Sequence, residues 1–348
     1  MSISDDQARP SDEPAFTRRR LGRYAAAAAA GVGAYAFMPG GVANAESATT
    51  AQHYYDQAKR LAGDDPVLLD IIGSLGGRNT PPRQYPPGPM MVFDNLAVFG
   101  VGEPISVEAR AVFTSAGIVL IDSLNSPADV QNVIAPGLRA LGADPAAIRY
   151  VVVTHGHFDH FGGAQYLADT YGARVLMSPA DWAYMAGTTQ SDQPRHDLDI
   201  SNGQRLTLGD TTLTLHYTPG HTPGTVSPIF PVRYKGKHHT AMLWGGTKVP
   251  SDLASQRTYL SSIETFRLRM QQAGVDVELN NHPFCDYGLE RMQQLADDPG
   301  AGDPFILGAG GTERFMKVME YMLRGRIADT ESASPTAAST AHNHQSCC

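Results

Sequence analysis

The sequence predicts an α+β fold: two mixed β-sheets packed face to face, with helices on the outside. Three observations carry that expectation. Short strand-like runs and helical runs are interleaved along the chain rather than segregated, and its two halves have similar content. At 348 residues and 42% hydrophobic, the chain is large enough to bury a sizeable core.

Residues 1–45 read as a targeting segment outside that fold. Arg18, Arg19 and Arg20 precede an alanine-rich apolar run, and Ala43 and Ala45 take the small-residue positions of a cleavage site. Paired arginines in that setting resemble a twin-arginine export signal, which makes an exported (periplasmic or secreted) protein the expectation. The competing readings are a single membrane anchor or an ordinary secretory signal. The apolar run 24–38 has 15 residues, short of the ~20 that span a bilayer, and no later run is longer. No stable membrane insertion after cleavage is therefore expected.

Residues 46–90 read as a helix, "AQHYYDQAKRLAG", and a Pro- and Gly-rich lead-in. The main domain is expected at 91–325. "LAVFGV", "ISVEARAVFT" and "GIVLIDS" read as strands. "SPADVQNVIAPGLRALG" reads as a helix capped by Ser126, and "IRYVVVT" as a buried strand. A helix, "GAQYLADTYG", a strand, "ARVLMS", and a short helix opened by Pro179 follow. The second half begins with a hairpin that turns at Gly209-Asp210. Strands at 226–234 and 239–244, a long helix, "LASQRTYLSSIETFRLRMQQAG", and a last strand in "VDVELNNHPF" come next, then helices near 287–298 and 312–324. The polar stretch 326–348 reads as a disordered tail. Its His342, His344, Cys347 and Cys348 are read as a solvated end rather than a soft-metal site.

Charge and cysteine content exclude some functions. The net charge is -8 with no basic block beyond the N-terminus, which argues against nucleic acid as a partner. Three cysteines make no disulfide framework, and Cys285 reads as a small buried residue.

The stretch "VVVTHGHFDHFGG" places His155, His157, Asp159 and His160 at the end of an apolar run, with Gly156 easing the bend. Four ligand-type side chains at that density would repel or desolvate one another without a cation. Local spacing alone provides too few ligands for two closed sites, so distant histidines are expected to complete them. His221 in "TPGHTPG" and His282 in "NNHPF" are the candidates, both beside Pro or Gly at strand ends. His53, His196, His216, His238 and His239 have no such company.

With these motifs in view, the chain resembles the metallo-β-lactamase superfamily over roughly residues 90–300. The resemblance implies an αββα sandwich with a two-zinc site: His155, His157 and His221 for one ion, Asp159, His160 and His282 for the other. Many hydrolases of that superfamily carry a bridging aspartate in a "TGD"-like stretch. Here the matching stretch is "LWGGT", with Gly246 at that place. The pattern is therefore most like the β-lactamase subclass whose second zinc uses Asp-His-His, with Asp252 as a candidate replacement for the bridge. The implied protein is a di-zinc hydrolase in which metal-bound hydroxide attacks the carbonyl of a small-molecule acyl substrate, with Asp159 orienting it. A β-lactam-like cyclic amide is placed first, and a lactone, ester or thioester is the alternative. A non-catalytic zinc-binding protein is the reading from another class. Trp182, Tyr184 and Met185 either wall the cleft or form a buried helix face.

Overall fold

The computed structural model describes residues 42–78 and 88–333. The expected export segment, apart from its last residues, and the tail beyond 333 lie outside the described residues. Two helices come first, α1 (Val42–Ala62) and α2 (Pro66–Leu75). A seven-stranded sheet follows: β1 (Met90–Phe93), β2 (Leu96–Val101), β3 (Val107–Thr114), β4 (Gly117–Ile121), β5 (Ile148–Val152), β6 (Arg174–Met177) and β7 (Leu198–Asp199), in that spatial order. Its first four strands pair antiparallel and the rest parallel. Between its strands run α3 (Pro127–Asp129), α4 (Ala135–Ala140), α5 (Phe158–Phe161), α6 (Ala164–Tyr171) and α7 (Pro179–Ala186).

The second sheet holds β8 (Gln204–Leu208), β9 (Thr211–Tyr217), β10 (Val226–Tyr234), β11 (Lys237–Trp244) and β12 (Val277–Asn280), in the order β12-β11-β10-β9-β8. Only the β11–β12 pair is parallel, because the crossover helix α8 (Leu253–Ala273) joins those strands. The helices α9 (Gly288–Asp297) and α10 (Gly308–Ala333) complete the fold.

Side-chain alternation makes the layers. On β4, Val119 and Ile121 face the second sheet, while Ile118 and Leu120 pack with Ile134 and Leu138 on the outer side. On β11, Ala241 and Leu243 enter the space between the sheets, while Met242 and Trp244 pack against Tyr259, Phe266 and Phe315 of α8 and α10. Fully burying a Val, Leu, Ile, Phe or Met side chain in this way is worth roughly 1.5–3 kcal/mol. The result is the expected sandwich of two mixed sheets between helical layers.

Three boundaries differ from the sequence reading. The lead-in contains a helix, α2, that the Pro- and Gly-rich flanks obscured. Asp65 caps it by accepting from Val67 N (3.1 Å), and Val67, Ile71 and Leu75 recur at helical spacing on its buried face. The helix expected from Ser126 is broken by a π-turn (Val130–Ile134), next to Pro136, which has no N–H to donate. The last helix continues to Ala333, past the expected boundary at 325. Ala328 is buried, and Tyr55 of α1 donates to Asp329 (2.5 Å), so 326–333 belongs to the fold rather than to a disordered tail.

Candidate metal centre

The C-terminal ends of β4, β5, β9, β11 and β12 meet at one edge of the sandwich, and the loops that leave them carry the candidate ligands. His155 and His157 lie just after β5, Asp159 and His160 in the turn of α5, His221 between β9 and β10, and His282 after β12. The structure brings all six together in two groups, His155, His157 and His221 in one and Asp159, His160 and His282 in the other. Within each group the potential ligand atoms lie within 4.8 Å of one another.

Hydrogen bonds aim four of the rings. His155 Nδ1 donates to Gly245 O (2.7 Å), His221 Nδ1 to Lys248 O (2.8 Å) and His282 Nδ1 to Ser106 O (2.9 Å). His160 Nδ1 bonds to Asp122 Oδ2 at 2.8 Å. A carbonyl only accepts, so in the neutral rings of His155, His221 and His282 the Nε2 is left with a lone pair. His221 Nε2 lies 3.1 Å from both His155 Nε2 and His157 Nδ1. Between His155 and His221, which both donate through Nδ1, no ring proton is left to settle that crowding. Burial, reinforced by the neighbouring histidines, holds His155 well below the usual imidazole range and His221 near 3, and burial holds His157 near 4. Facing lone pairs at this distance repel, and a shared cation is what converts the repulsion into attraction.

The second group collects positive charge by another route. Burial opposes a charge on His160, but Asp159 and Asp122 together outweigh it and raise its pKa to about 10. Its Nε2 is 3.3 Å from Asp159 Oδ2 without good hydrogen-bond geometry, and it has no partner. Asp159 is 5% exposed. Burial opposes its ionisation, yet His160 and His282 hold it far below the usual carboxylate range. The donor set, imidazole and carboxylate around an orphaned buried nitrogen, fits zinc and related ions.

Two acids that hold the centre were not singled out in the sequence. Asp122 accepts from Thr154 N (2.7 Å), Thr154 Oγ1 (2.9 Å) and His160, and it is held at a left-handed φ of 59°. Asp181 is fully buried and links the two histidine loops. It accepts from Gly156 N (2.9 Å) on one side and from Thr222 Oγ1 (2.6 Å) and Gly224 N (2.7 Å) on the other. Neither had a local signal, since a single Asp after an apolar run or in a helix's first turn is common.

Other expectations separate here. Gly156 has no left-handed φ. Its need is for space, because a Cβ there would come 3.1 Å from Tyr184 Cδ1 and from Asp181 O. At Gly246 a Cβ would stand 2.7–2.9 Å from the His221 side chain, and the residue of that stretch that lines the cleft is Thr247. Asp252 does not replace the missing carboxylate: it is exposed and caps α8 through Ser255 N (2.8 Å). Trp182 and Met185 are buried under the first sheet, whereas Tyr184 places its hydroxyl 3.1 Å from His157 Nε2. His196 stacks on Trp182 and pairs with Asp199 (2.7 Å), and His239 pairs with Asp276 (2.6 Å), both away from the centre. A cleft of about 590 Å³ opens over the two groups, within the ordinary size of small-molecule sites.

Comparison with known proteins agrees with this fold. The sequence model of the metallo-beta-lactamase superfamily matches residues 111–233. The chain is 36% identical over 104 residues to a hydroxyacylglutathione hydrolase of Acidiphilium cryptum, covering 30% of this chain and 38% of that protein. It is 28% identical over 166 residues to the N-acyl homoserine lactonase AttM of Azorhizobium caulinodans, covering 42% and 62%. The matches thus span less than two thirds of these curated relatives. A variant of the metallo-β-lactamase FEZ-1 from Legionella gormanii superposes with a TM-score of 0.61 at 22% identity, over 72% of this chain and 98% of that one. BJP-1, a subclass B3 metallo-β-lactamase of Bradyrhizobium japonicum, gives 0.55 at 23% identity, over 68% and 90%. At those identities the superpositions speak for the fold. Residues 111–233 thus match the metallo-beta-lactamase superfamily, and the fold is shared with these metallo-β-lactamases.

Proposed function

We propose that the protein is an exported two-zinc hydrolase that opens a cyclic amide of the β-lactam type. His155, His157 and His221 would hold one ion and Asp159, His160 and His282 the other. The observation that carries this reading is the pair of ligand groups under an open cleft, with the unprotonated Nε2 atoms of His155 and His221 3.1 Å apart. When bound, zinc lowers the pKa of water from ~15.7 toward ~7 and polarises a carbonyl oxygen.

The chain's own residues supply the rest. Three backbone carbonyls and Asp122 lock four rings in one orientation. Asp159, held ionised, is a hydrogen-bond acceptor at the floor of the cleft. Ile105, Phe158 and Phe284 give the cleft apolar walls that displace water from a bound substrate. A covalent route through a side chain is disfavoured. Burial pushes the Cys285 thiol up to about 12, and Ser74 Oγ donates to Phe284 O (3.2 Å) rather than to a base.

The second reading is a lactone or thioester as substrate, supported by the lactonase and hydroxyacylglutathione hydrolase names of the sequence relatives. Metal analysis combined with a panel of nitrocefin-type β-lactams, lactones and thioesters separates the two. Two metals per chain with β-lactam turnover supports the first reading, and turnover of only the other acyl compounds supports the second. Two metals with no turnover of any member would leave a zinc-binding protein. Export rests on the arginines at 18–20 and the alanine-rich run behind them. Replacing all three arginines by lysine should retain the protein in the cytoplasmic fraction, and an unchanged distribution would refute it.

A further inference from the structure

Four of the five ligand rings are aimed by a group that can only accept: three backbone carbonyls and the Asp122 carboxylate. His157 is the exception. Its Nε2 lies 3.1 Å from the Tyr184 hydroxyl, which can donate or accept. Its Nδ1 lies 3.1 Å from His221 Nε2. Burial keeps the ring neutral, so it has a single proton for those two contacts.

The neighbouring rings decide where that proton sits without a cation. His221 gives its own ring proton to Lys248 O, so its Nε2 can only accept. His155 gives its proton to Gly245 O and has none left for that nitrogen. The proton that reaches His221 Nε2 is therefore the one on His157 Nδ1. His157 Nε2 is then an acceptor, and the Tyr184 hydroxyl donates to it. The bonds run in one direction, from Tyr184 to His157, from His157 to His221, and from His221 to Lys248 O. A cation requires the opposite assignment, because it takes a bare nitrogen and Nδ1 is the one that faces the group. The backbone on both sides of His157 is clamped, so the change falls to the proton rather than to the loop. Asp181 holds Gly156 N (2.9 Å), and Gln190 holds Phe158 N (2.7 Å) and Gly156 O (3.4 Å). The Tyr184 ring packs edge-on against His157, with centroids 5.7 Å apart.

We infer that Tyr184 is the positioning residue of His157, and that its hydroxyl reverses: it donates to Nε2 in the metal-free chain and accepts from Nε2 once Nδ1 is a ligand. The proton leaves Nδ1 for solvent and another arrives from solvent at Nε2, so the ring stays neutral throughout. A carbonyl in place of this hydroxyl would fix the proton on Nε2 and leave three bare nitrogens facing one another before any ion bound. The hydroxyl supports the ligand set in both states. This rests on the two-ion reading above and not on the choice of substrate.

Long-range proton–nitrogen NMR of the full chain, metal-free and zinc-loaded, reads which nitrogen of His157 carries the proton. Nδ1–H is expected without metal and Nε2–H with zinc. In the zinc-loaded protein the Nε2 proton should be downfield and slow to exchange, and it should lose both properties in Tyr184→Phe, which keeps the ring and removes the hydroxyl. Competition with a chromogenic chelator should show one ion of the pair bound about tenfold or more weakly in Tyr184→Phe, with the other within about twofold and circular dichroism unchanged. His157 protonated on Nε2 in the metal-free chain would refute the reversal. Unchanged zinc affinity with an unchanged Nε2 proton in Tyr184→Phe would remove Tyr184 from the role. An unaltered chain that binds no zinc would overturn the two-ion reading and the reversal with it, while the metal-free tautomer would still decide the hydrogen-bond chain.

Discussion

At the scale of single residues, the centre depends on lone pairs directed by remote hydrogen bonds. His221→Ala removes one of three converging nitrogens, and Asp159→Asn keeps the shape while removing the ionised acceptor. Each should lower hydrolysis by at least ~100-fold with the fold retained. Circular dichroism and metal content would accompany the rates, and full activity with unchanged metal in His221→Ala would remove that residue from the ligand set. Asp122→Asn should weaken metal binding at the Asp159, His160 and His282 group by roughly 10–100-fold, because the amide no longer fixes the His160 ring as a carboxylate does. Competition with a chromogenic chelator reads this, and tight binding of two ions in Asp122→Asn would show the bond to be dispensable. The ligand types themselves were legible as residues, since four of six fall in one six-residue stretch. Asp122 was not, because its role depends on pairing with a ring 38 positions away.

At the scale of elements, the centre is a meeting of strand ends, held by helices whose first turns face inward. Asp181 in the first turn of α7 binds the loop after β5 to the loop after β9 through three buried hydrogen bonds. Asp181→Ala leaves those donors without a partner and should destabilise the protein by roughly 2–4 kcal/mol. Urea denaturation measures this, and a loss below about 0.5 kcal/mol would mean that water replaces the carboxylate. Most strands and the long helix α8 were readable from alternation and helical periodicity. What escaped were features set by neighbours. Helix α2 buries one face against the second sheet's helical layer, and α10 runs on to Ala333 because α1 gives it a surface to cover.

At the scale of the whole molecule, burial of charge between the layers makes stability depend on pH. Glu278, Asp286 and Arg291 form a fully buried group joining β12 to α9, and burial pushes both acids up. Asp303, near Arg291, is raised by burial from 3.8 to about 6, against the hydrogen bond from Phe305 N. An acid whose folded pKa is raised holds its proton more tightly in the folded chain. Its ionisation therefore costs stability as pH rises from about 4 to about 6. Asp303→Asn keeps the acceptor for Phe305 N and should stabilise the protein by roughly 1–3 kcal/mol at pH 7, with the advantage gone near pH 4. Denaturation of both proteins at the two pH values decides it, and an equal difference at both would assign the effect to packing.

The sequence by itself determined the chemistry available. The His-x-His-x-Asp-His cluster, two more histidines at strand ends, and alternation enough for two sheets are all properties of neighbours along the chain. Tertiary structure alone decided which nitrogens face one another and which carbonyls turn the rings. It also decided that Gly246 leaves room for His221, that Asp252 is only a helix cap, and that Arg78, just beyond the end of α2, reaches the rim of the cleft. The physical reason is range. Periodicity and turn chemistry act over a few residues, whereas the centre is assembled by contacts between chain segments far apart in sequence, which only the packing of the sheets brings within hydrogen-bond distance.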